Sequence, residues 1–230
     1  MSIPLDGPPA GRVAIVTGGS RGVGRAAIRL LAARGYAVVV NYLHDQRAAE
    51  STVEAILTDK GAAVAVRADV ADDLDVQRLF AETIAAFGGI DAVVHAVGSP
   101  VTTAPVAEVD LDVFDALVRI NTRATFVVNQ EAARHLRNGG AIVNLSSSAE
   151  GSSLRTHGLD TATKATTDAL TRALALQLRE RKITVNAVVL EVHGPCAPNQ
   201  VADVIAYLLS EHGHGLTGQV LRVGDPRLRL

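Results

Sequence analysis

The stretch TGGSRGVG, from Thr17 to Gly24, joins a run of apolar residues to an amphipathic segment. Gly18 suits a tight turn, Gly22 lets the backbone approach a pyrophosphate, and Gly24 allows a helix to pack closely on the turn. A helix that begins here offers free N–H groups and the positive end of its dipole to phosphates. The stretch therefore predicts dinucleotide binding, with a purely structural glycine turn as the alternative. The predicted contact residues are Gly18, Ser20, Arg21, Gly22, Val23 and Gly24.

Short runs of Val, Ile and Ala alternate with longer amphipathic segments on both sides of this turn. Their apolar positions are consecutive, as in AVVV, AVAV and NAVVL, which is typical of parallel strands covered by helices on both faces. Strands are predicted at 13–17, 37–41, 63–67, 92–96, 141–146, 184–189 and 219–223, and helices beginning near 23, 46, 74, 111, 160 and 200. The predicted fold is a Rossmann-type, doubly wound α/β structure with a parallel seven-stranded sheet.

Composition limits the classes of protein that the chain can belong to. With 230 residues, 48% of them hydrophobic, we expect one domain over residues 11–230 after a disordered lead-in at 1–10. The net charge of −2 gives no basic surface for nucleic acid or an anionic membrane. The chain has no apolar run long enough to span a membrane, and its start lacks the layout of a signal peptide. A single cysteine, Cys196, fits a reducing cytoplasm, and no spacing of ligands predicts a metal site.

The end of the second predicted strand indicates which nicotinamide cofactor is preferred. An enzyme that uses NAD places an acid there to accept hydrogen bonds from the ribose 2′-hydroxyl. Here Asn41 and Tyr42 occupy that place, and Arg21 in the glycine turn is suited to a 2′-phosphate. The pattern therefore predicts NADP(H).

The Thr-Gly-x-x-x-Gly-x-Gly spacing resembles the short-chain dehydrogenase/reductase family, especially its members similar to ketoacyl-carrier-protein reductases. RADV, with Asp69 and Val70, resembles the segment of that family that contacts adenine. RIN, ending in Asn121, resembles the site of the asparagine that relays protons through water. IVNLSSS resembles the strand that carries the catalytic serine, here Ser147. The resemblance extends over nearly the whole chain and implies cofactor contacts at Ala96, Gly98, Lys164 and Val192.

The chain departs from this family in its asparagine motif, its catalytic tyrosine and its substrate lid. The family sequence Asn-Asn-Ala-Gly is replaced by HAVG, residues 95–98. The family tyrosine of Tyr-x-x-x-Lys is replaced by Asp160, while Lys164 is retained. Leu190 and Glu191 replace a Pro-Gly pair, and the segment EVHGPCAPNQ after the sixth strand is too short for the usual lid. We therefore expect an active site that lacks both its proton-donating tyrosine and its lid.

Asp160 is a poor substitute for a tyrosine as a proton donor. Keeping a carboxylic acid protonated at neutral pH costs about 4 kcal/mol, and the positive charge of Lys164 opposes it. The alternatives are a salt bridge to Lys164 or a charge at a helix start, the positioning of a water or a substrate hydroxyl, and direct acid catalysis. Ser147 is predicted to bond a carbonyl oxygen or to cap its strand, and Asn121 to relay water or to fill a helix. His193 is a further candidate proton donor.

The resemblance implies an NADPH-dependent ketoreductase that transfers hydride from nicotinamide C4 to a bulky polycyclic aromatic ketone. The missing tyrosine and lid suggest that the substrate or water supplies the proton, as in the atypical ketoreductases of angucycline antibiotic biosynthesis. The alternatives are a catalytically inactive NADP(H)-binding pseudo-reductase that acts as a sensor or partner protein, and a lyase or cyclase. Family members form oligomers through long helices, and the apolar segment 169–178 is compatible with a homo-oligomer.

Overall fold

Seven parallel strands form one sheet in the order β3-β2-β1-β4-β5-β6-β7. The structure is a computed structural model and describes residues 11–98, 104–148, 154–191 and 197–223. The strands are β1 Val13–Thr17, β2 Ala37–Tyr42, β3 Ala63–Arg67, β4 Ile90–His95, β5 Leu136–Ser148, β6 Thr184–Glu191 and β7 Val220–Val223. This arrangement confirms the predicted Rossmann-type α/β fold, and each predicted strand overlaps an observed one.

The helices lie between the strands, as the amphipathic segments predicted. They are α1 Gly22–Ala33, α2 Gln46–Thr58, α3 Asp73–Phe87, α4 Leu111–Leu117, α5 Ala124–His135, α6 Leu154–Gln177 and α7 Pro198–Leu208. A π-helical turn, Val118–Arg123, joins α4 to α5. Helix α6 begins six residues before the predicted start and contains non-helical backbone at His157, where φ is −113°.

Two apolar layers explain why the strands are hydrophobic at consecutive positions. On one face of the sheet, α1, α2 and α7 pack through residues such as Ile28, Ile56 and Ile205. On the other face, α3, α5 and α6 pack through residues such as Phe80 and Val128. Because both faces are covered, β1 and β2 are buried at every position. No helix in the described ranges is long and apolar enough to cross a bilayer.

The direction of the strand order reverses between β1 and β4. The chain passes outward from β1 to β2 and β3, then returns to place β4 on the other side of β1. Thr17 pairs with His95, and His95 pairs with Asn144, so the carboxyl ends of three strands lie at one edge. Such a reversal opens a crevice beyond the strand ends in which α/β proteins bind ligands. The fold therefore places the candidate site beside the glycine turn.

Candidate active site

The glycine turn has the conformation that its sequence predicts. Gly18 has φ of +63° and Gly22 has φ of +55°, values that favour glycine. A methyl group on Gly24 would lie 2.4 Å from the carbonyl oxygen of Gly18, so this glycine lets α1 pack against the turn. A methyl group on Gly22 would meet no protein atom within 4 Å, so open space adjoins the backbone there. This open space fits a ligand that approaches the turn.

Helix α1 begins differently from the next three helices, α2, α3 and α4. Helices α2, α3 and α4 each begin after an aspartate that accepts a hydrogen bond from a backbone N–H group, namely Asp45, Asp72 and Asp110. Helix α1 instead begins after the exposed Arg21, with no side-chain cap and no acid in its first turn. A positive residue at a helix N-terminus is electrostatically unfavourable unless an anion binds there. The start of α1 is therefore suited to a phosphate.

Asn41 holds the glycine turn against the next two strands. Its Oδ1 accepts a hydrogen bond from Gly18 N at 3.4 Å, and its Nδ2 donates to Ala68 O at 3.1 Å. Its backbone oxygen also accepts a bond from Gly19 N. Asn41 and Tyr42 are both buried. The positioning of the turn is therefore observed, whereas the ribose contacts of Asn41 and Tyr42 stay predictions.

Asp69 connects the loop after β3 to the π-helical turn that follows α4. Its Oδ2 accepts a hydrogen bond from Arg119 Nη2 at 2.9 Å, and its Oδ1 accepts one from Ala71 N. Partial burial raises the pKa of Asp69, but its bonds to Arg119 and Ala71 outweigh this and hold the pKa below the usual value. Val70 is buried in the core. The adenine contacts of Asp69 and Val70 stay predictions.

His95 belongs to a buried polar group at the end of β4. Its Nδ1 lies 2.9 Å from Thr17 Oγ1, which accepts a bond from Ala96 N at 3.1 Å. Burial, together with the charge of Lys164, lowers the pKa of His95 to about 3. A neutral imidazole therefore connects β4 to β1, and Thr17 is a site residue that sequence reasoning missed.

Lys164 lies in a cavity of about 580 Å³ at the carboxyl ends of β1, β4 and β5. Its Nζ donates to Val97 O at 3.5 Å, and a methyl group on Gly98 would lie 2.6 Å from it. Burial lowers the pKa of Lys164, and the charge of Asp160 acts against this. The cavity is lined by Gly18, Arg21, Gly22, Val23, Gly24, Ala96, Val97, Gly98, Leu145, Ser146, Ser147, Lys164 and Leu190. The fold thus brings the glycine turn, Gly98, Ser147 and Lys164 together.

Asp160 lies between Ser147 and Asn121. Its Oδ2 accepts a hydrogen bond from Ser147 Oγ at 3.0 Å, and its Oδ1 accepts one from Asn121 Nδ2 at 3.4 Å. Asn121 Nδ2 also donates to Thr163 Oγ1 at 3.0 Å. Within the described ranges, Asp160 and Lys164 form no ion pair within 4.0 Å, so the predicted salt bridge is wrong. The carboxylate is instead held by neutral donors.

A second network of buried hydrogen bonds adjoins the group formed by Ser147, Asp160 and Asn121. The side chains of Asn129 and Asn144 exchange two hydrogen bonds, of 2.8 and 3.1 Å, and Asn144 also donates to Thr171 Oγ1. Asn129 further donates to Thr125 O, and Thr125 Oγ1 donates to Asn121 O. These contacts connect β5 and α6 to the π-helical turn. Sequence reasoning missed Asn129 and Thr163, although polar residues inside apolar helix faces were a usable signal.

Several predictions fall outside the described residues. They concern the lead-in at 1–10, the cofactor contact of Val192, the candidate proton donor His193, and most of the shortened segment after β6. Within the described ranges, no group of three or more His, Cys, Asp or Glu side chains is arranged to hold a metal ion.

Comparison with known proteins identifies the family. Residues 18–197 match the family described as enoyl-(acyl carrier protein) reductase. A short-chain dehydrogenase from Burkholderia cenocepacia, solved in complex with NADP, superposes with a TM-score of 0.85 at 31% identity, covering 94% of this chain and 97% of that one. The chain belongs to the short-chain dehydrogenase/reductase family.

As a short-chain dehydrogenase/reductase, the protein is an oxidoreductase. A hydroxynaphthalene reductase-like protein, Arp2, of Metarhizium majus is 42% identical over 180 residues, which are 78% of this chain and 67% of that protein. Versicolorin reductase 1 of Aspergillus parasiticus is 41% identical over 179 residues, which are 77% of this chain and 68% of that protein. The family match at residues 18–197 includes all the residues that line the cavity.

Proposed function

We propose that the protein is an NADPH-dependent ketoreductase that acts on a bulky polycyclic aromatic ketone of the polyketide type. The observation that carries the proposal is the single cavity in which the glycine turn, Lys164 and Ser147 meet. The names of the two curated relatives, a hydroxynaphthalene reductase-like protein and a versicolorin reductase, support an aromatic substrate. The NADP in the Burkholderia structure supports the cofactor.

The residues present fit NADP(H). The cavity volume is within the range of small-molecule sites, and Gly22 leaves open space beside the backbone. The start of α1 would hold the pyrophosphate, Arg21 the 2′-phosphate, and Lys164 the hydroxyls of the nicotinamide ribose. Bound NADPH would supply the hydride that reduces the carbonyl carbon to an alcohol.

In this proposal the proton for the carbonyl oxygen comes from the substrate or from water. Asp160 is 2% exposed. Its Oδ2 accepts a hydrogen bond from Ser147, and its Oδ1 accepts one from Asn121. A carboxylate oxygen that accepts such a bond is not placed to donate a proton to a ketone. A phenol next to the ketone can deliver its own proton to the oxygen, as can an ordered water. This chemistry agrees with the resemblance to angucycline-tailoring enzymes such as the simocyclinone 7-ketoreductase.

The rival proposal is an NADP(H)-binding pseudo-reductase that serves as a sensor or partner protein. It is favoured by the aspartate at the tyrosine position. The retention of Ser147 and Asn121 beside Lys164 favours the enzyme, because a binding module needs only the lysine for its cofactor. A cytoplasmic location and a homo-oligomer remain predictions.

Consumption of NADPH by a matched pair of ketones tests the proposal. The pair consists of 8-hydroxy-1-tetralone, whose phenol adjoins the carbonyl, and its methyl ether. We expect the phenol to be reduced, and loss of turnover with the ether if the substrate supplies the proton. Turnover that persists in Asp160→Ala would exclude this side chain as the proton donor, whereas loss of turnover in a folded variant would restore it as a candidate. Tight NADPH binding without turnover of a wider panel of hydroxylated polycyclic ketones would favour the pseudo-reductase.

A further inference from the structure

The hydrogen bond between Ser147 and Asp160 has a fixed direction. Ser147 Oγ donates to Asp160 Oδ2 at an O–O distance of 3.0 Å, so the single hydroxyl proton of Ser147 lies toward the carboxylate. Asn121 Nδ2, which can only donate, takes the other carboxylate oxygen. The carboxylate is therefore bonded on both oxygens, and its bond to Ser147 fixes the rotation of the hydroxyl.

Ser147 consequently presents lone pairs to the cavity. Its side chain is partly exposed and lines the cavity, whereas Asp160 is almost fully buried. A serine hydroxyl has one proton and two acceptor sites. Because the proton is turned toward Asp160, the group that faces a ligand is a hydrogen-bond acceptor. Ser147 therefore has the polarity opposite to the one predicted for it, in which it donates to a carbonyl oxygen.

We propose that Ser147 is a specificity-determining residue that accepts a hydrogen bond from an O–H group, and that Asp160 is the positioning residue that gives it this polarity. The inference rests on the proposed function and refines its substrate class. A bare carbonyl oxygen would face the lone pairs of Ser147 with no proton between them, which is unfavourable. A hydroxyl group at the same place would form a charge-assisted chain through Ser147 to Asp160.

Two sources can supply this O–H group. A polyhydroxylated aromatic ketone can offer one hydroxyl to its own carbonyl oxygen and another to Ser147. A water can donate one proton to Ser147 and the other to the carbonyl oxygen. In both cases Ser147 orients an O–H donor and gives up no proton of its own.

The surroundings of Asp160 keep this arrangement in place. Asn121 lies in the π-helical turn and is fully buried, and it also donates a hydrogen bond to Thr163 on α6. Thr163 Oγ1 donates to the backbone oxygens of Leu159 and Asp160 at 3.1 and 3.0 Å. The carboxylate is therefore held between two elements, and a flexible surface acid would not fix the proton of Ser147 in this way.

Binding measurements on the NADP⁺ complex test the polarity without requiring turnover. The probes are 1-naphthol and 1-methoxynaphthalene, which differ in the O–H donor. We expect the wild type to bind the naphthol about tenfold more tightly than the ether. In Ser147→Ala the two affinities should become equal. In Asp160→Ala the hydroxyl of Ser147 regains a free proton, so the ether should bind more tightly than it does to the wild type.

This gain of affinity cannot arise from poor folding. The matched control is Glu54→Ala, which removes a carboxylate from the exposed face of α2 and should keep the wild-type preference. Equal affinities of the two probes for the wild type, no measurable binding of the naphthol, or no gain for the ether in Asp160→Ala would each overturn the proposal. Because the readout is binding, these results are independent of whether any ketone is reduced.

The source of the O–H group is assigned by turnover of unsubstituted 1-tetralone. Reduction of this ketone by the wild type, lost in Ser147→Ala, would assign the donor to a water. If the wild type reduces only hydroxylated ketones, and Ser147→Ala loses this activity as well, the O–H donor is the substrate. Full activity of Ser147→Ala on both classes would contradict a role for Ser147 in orienting either donor.

Discussion

The ammonium group of Lys164 lies directly against Gly98, so closely that a methyl group on residue 98 would come within 2.6 Å of Nζ. The two residues are 66 positions apart and meet because the first half of α6 lies at the edge of the sheet where β4 ends. Nζ is held there by Val97 O at 3.5 Å. The glycine therefore keeps a place for the lysine beside the cofactor site.

Gly98→Ala should weaken cofactor binding and leave the stability of the fold almost unchanged. The methyl group would displace the flexible end of Lys164 and weaken NADPH binding about tenfold, because a charged hydrogen bond is lost. The free energy of unfolding should change by less than about 1 kcal/mol. Gly215→Ala is the control, since a methyl group there meets no atom within 4 Å. Unchanged NADPH affinity in Gly98→Ala, measured by fluorescence titration, would show that Lys164 does not bind the cofactor.

Gly24→Ala should destabilise the fold itself. Its methyl group would lie 2.4 Å from a backbone oxygen of the glycine turn, which cannot move without shifting α1. We expect the free energy of unfolding to fall by about 2–3 kcal/mol in urea denaturation. Gly22→Ala, where the space is open but φ is +55°, should cost only about 1 kcal/mol. The reverse order of the two effects would contradict the packing role of Gly24.

Arg21→Ala should lower the affinity for NADPH without changing that for NADH. Arg21 is exposed at the start of α1, and in the proposed function it bonds the 2′-phosphate that only NADPH carries. The loss of a charge-assisted bond should weaken NADPH binding about tenfold or more. Arg29→Ala, on the exposed face of the same helix, is the matched control. An equal loss for both cofactors would indicate a structural role for Arg21.

His95 should make the protein sensitive to mild acid. Burial lowers its pKa from 6.5 to about 3 in the folded protein. Between these two pKa values the unfolded chain binds a proton that the folded protein does not. The stabilising contribution of His95 is therefore fully present above pH 6.5 and is lost as the pH falls toward 3. The contribution amounts to about 2 kcal/mol between roughly pH 7.5 and pH 5.

His95→Asn should remove this sensitivity, because an amide can bond Thr17 without titrating. The measurement is the free energy of unfolding in urea at the two pH values for both proteins. The variant should lose about 2 kcal/mol less than the wild type on acidification. Parallel losses in the two proteins would mean that His95 binds a proton in the folded state.

Asn144→Ala should destabilise the protein by leaving Asn129 without its buried partner. The two side chains exchange two hydrogen bonds, and removing one partner exposes the other to a full desolvation penalty. The free energy of unfolding should fall by about 2 kcal/mol when either asparagine is replaced by alanine. It should fall by less than the sum of these losses when both are replaced. Thermal or urea unfolding of the four proteins measures this coupling. Strict additivity would show that the pair does not act as a unit.

Much of the fold follows from local sequence patterns. Consecutive apolar residues predicted all seven strands, because a strand covered on both faces has no polar side. The bounds were less accurate where tertiary contacts extend an element. Strand β5 begins at Leu136, five residues before its apolar run, where Leu136 pairs with Ile90 of β4. Asn138 lies inside this strand, and the preceding helix ends at His135.

The sequence predicted candidate site residues and the spacing between them, but not the contacts that they form. Counting from Ser147 to Lys164 placed Asp160 at the tyrosine position of the family. It did not show that Asp160 accepts a hydrogen bond from Ser147, nor that Lys164 forms no ion pair with Asp160. It also did not show that Asn121 donates a hydrogen bond to Asp160 from a π-helical turn on another element. A turn of this kind has no clear signal in a single sequence.

The sequence by itself determined the parallel sheet and the glycine turn, since strand burial and positive φ angles restrict residue types one position at a time. Only the tertiary structure decided the polarity of Ser147 and the place of Lys164. A hydrogen bond has a direction that depends on every donor and acceptor around it, and here those groups come from β5, α6 and the π-helical turn. Their arrangement exists only once the sheet and its helices have packed together.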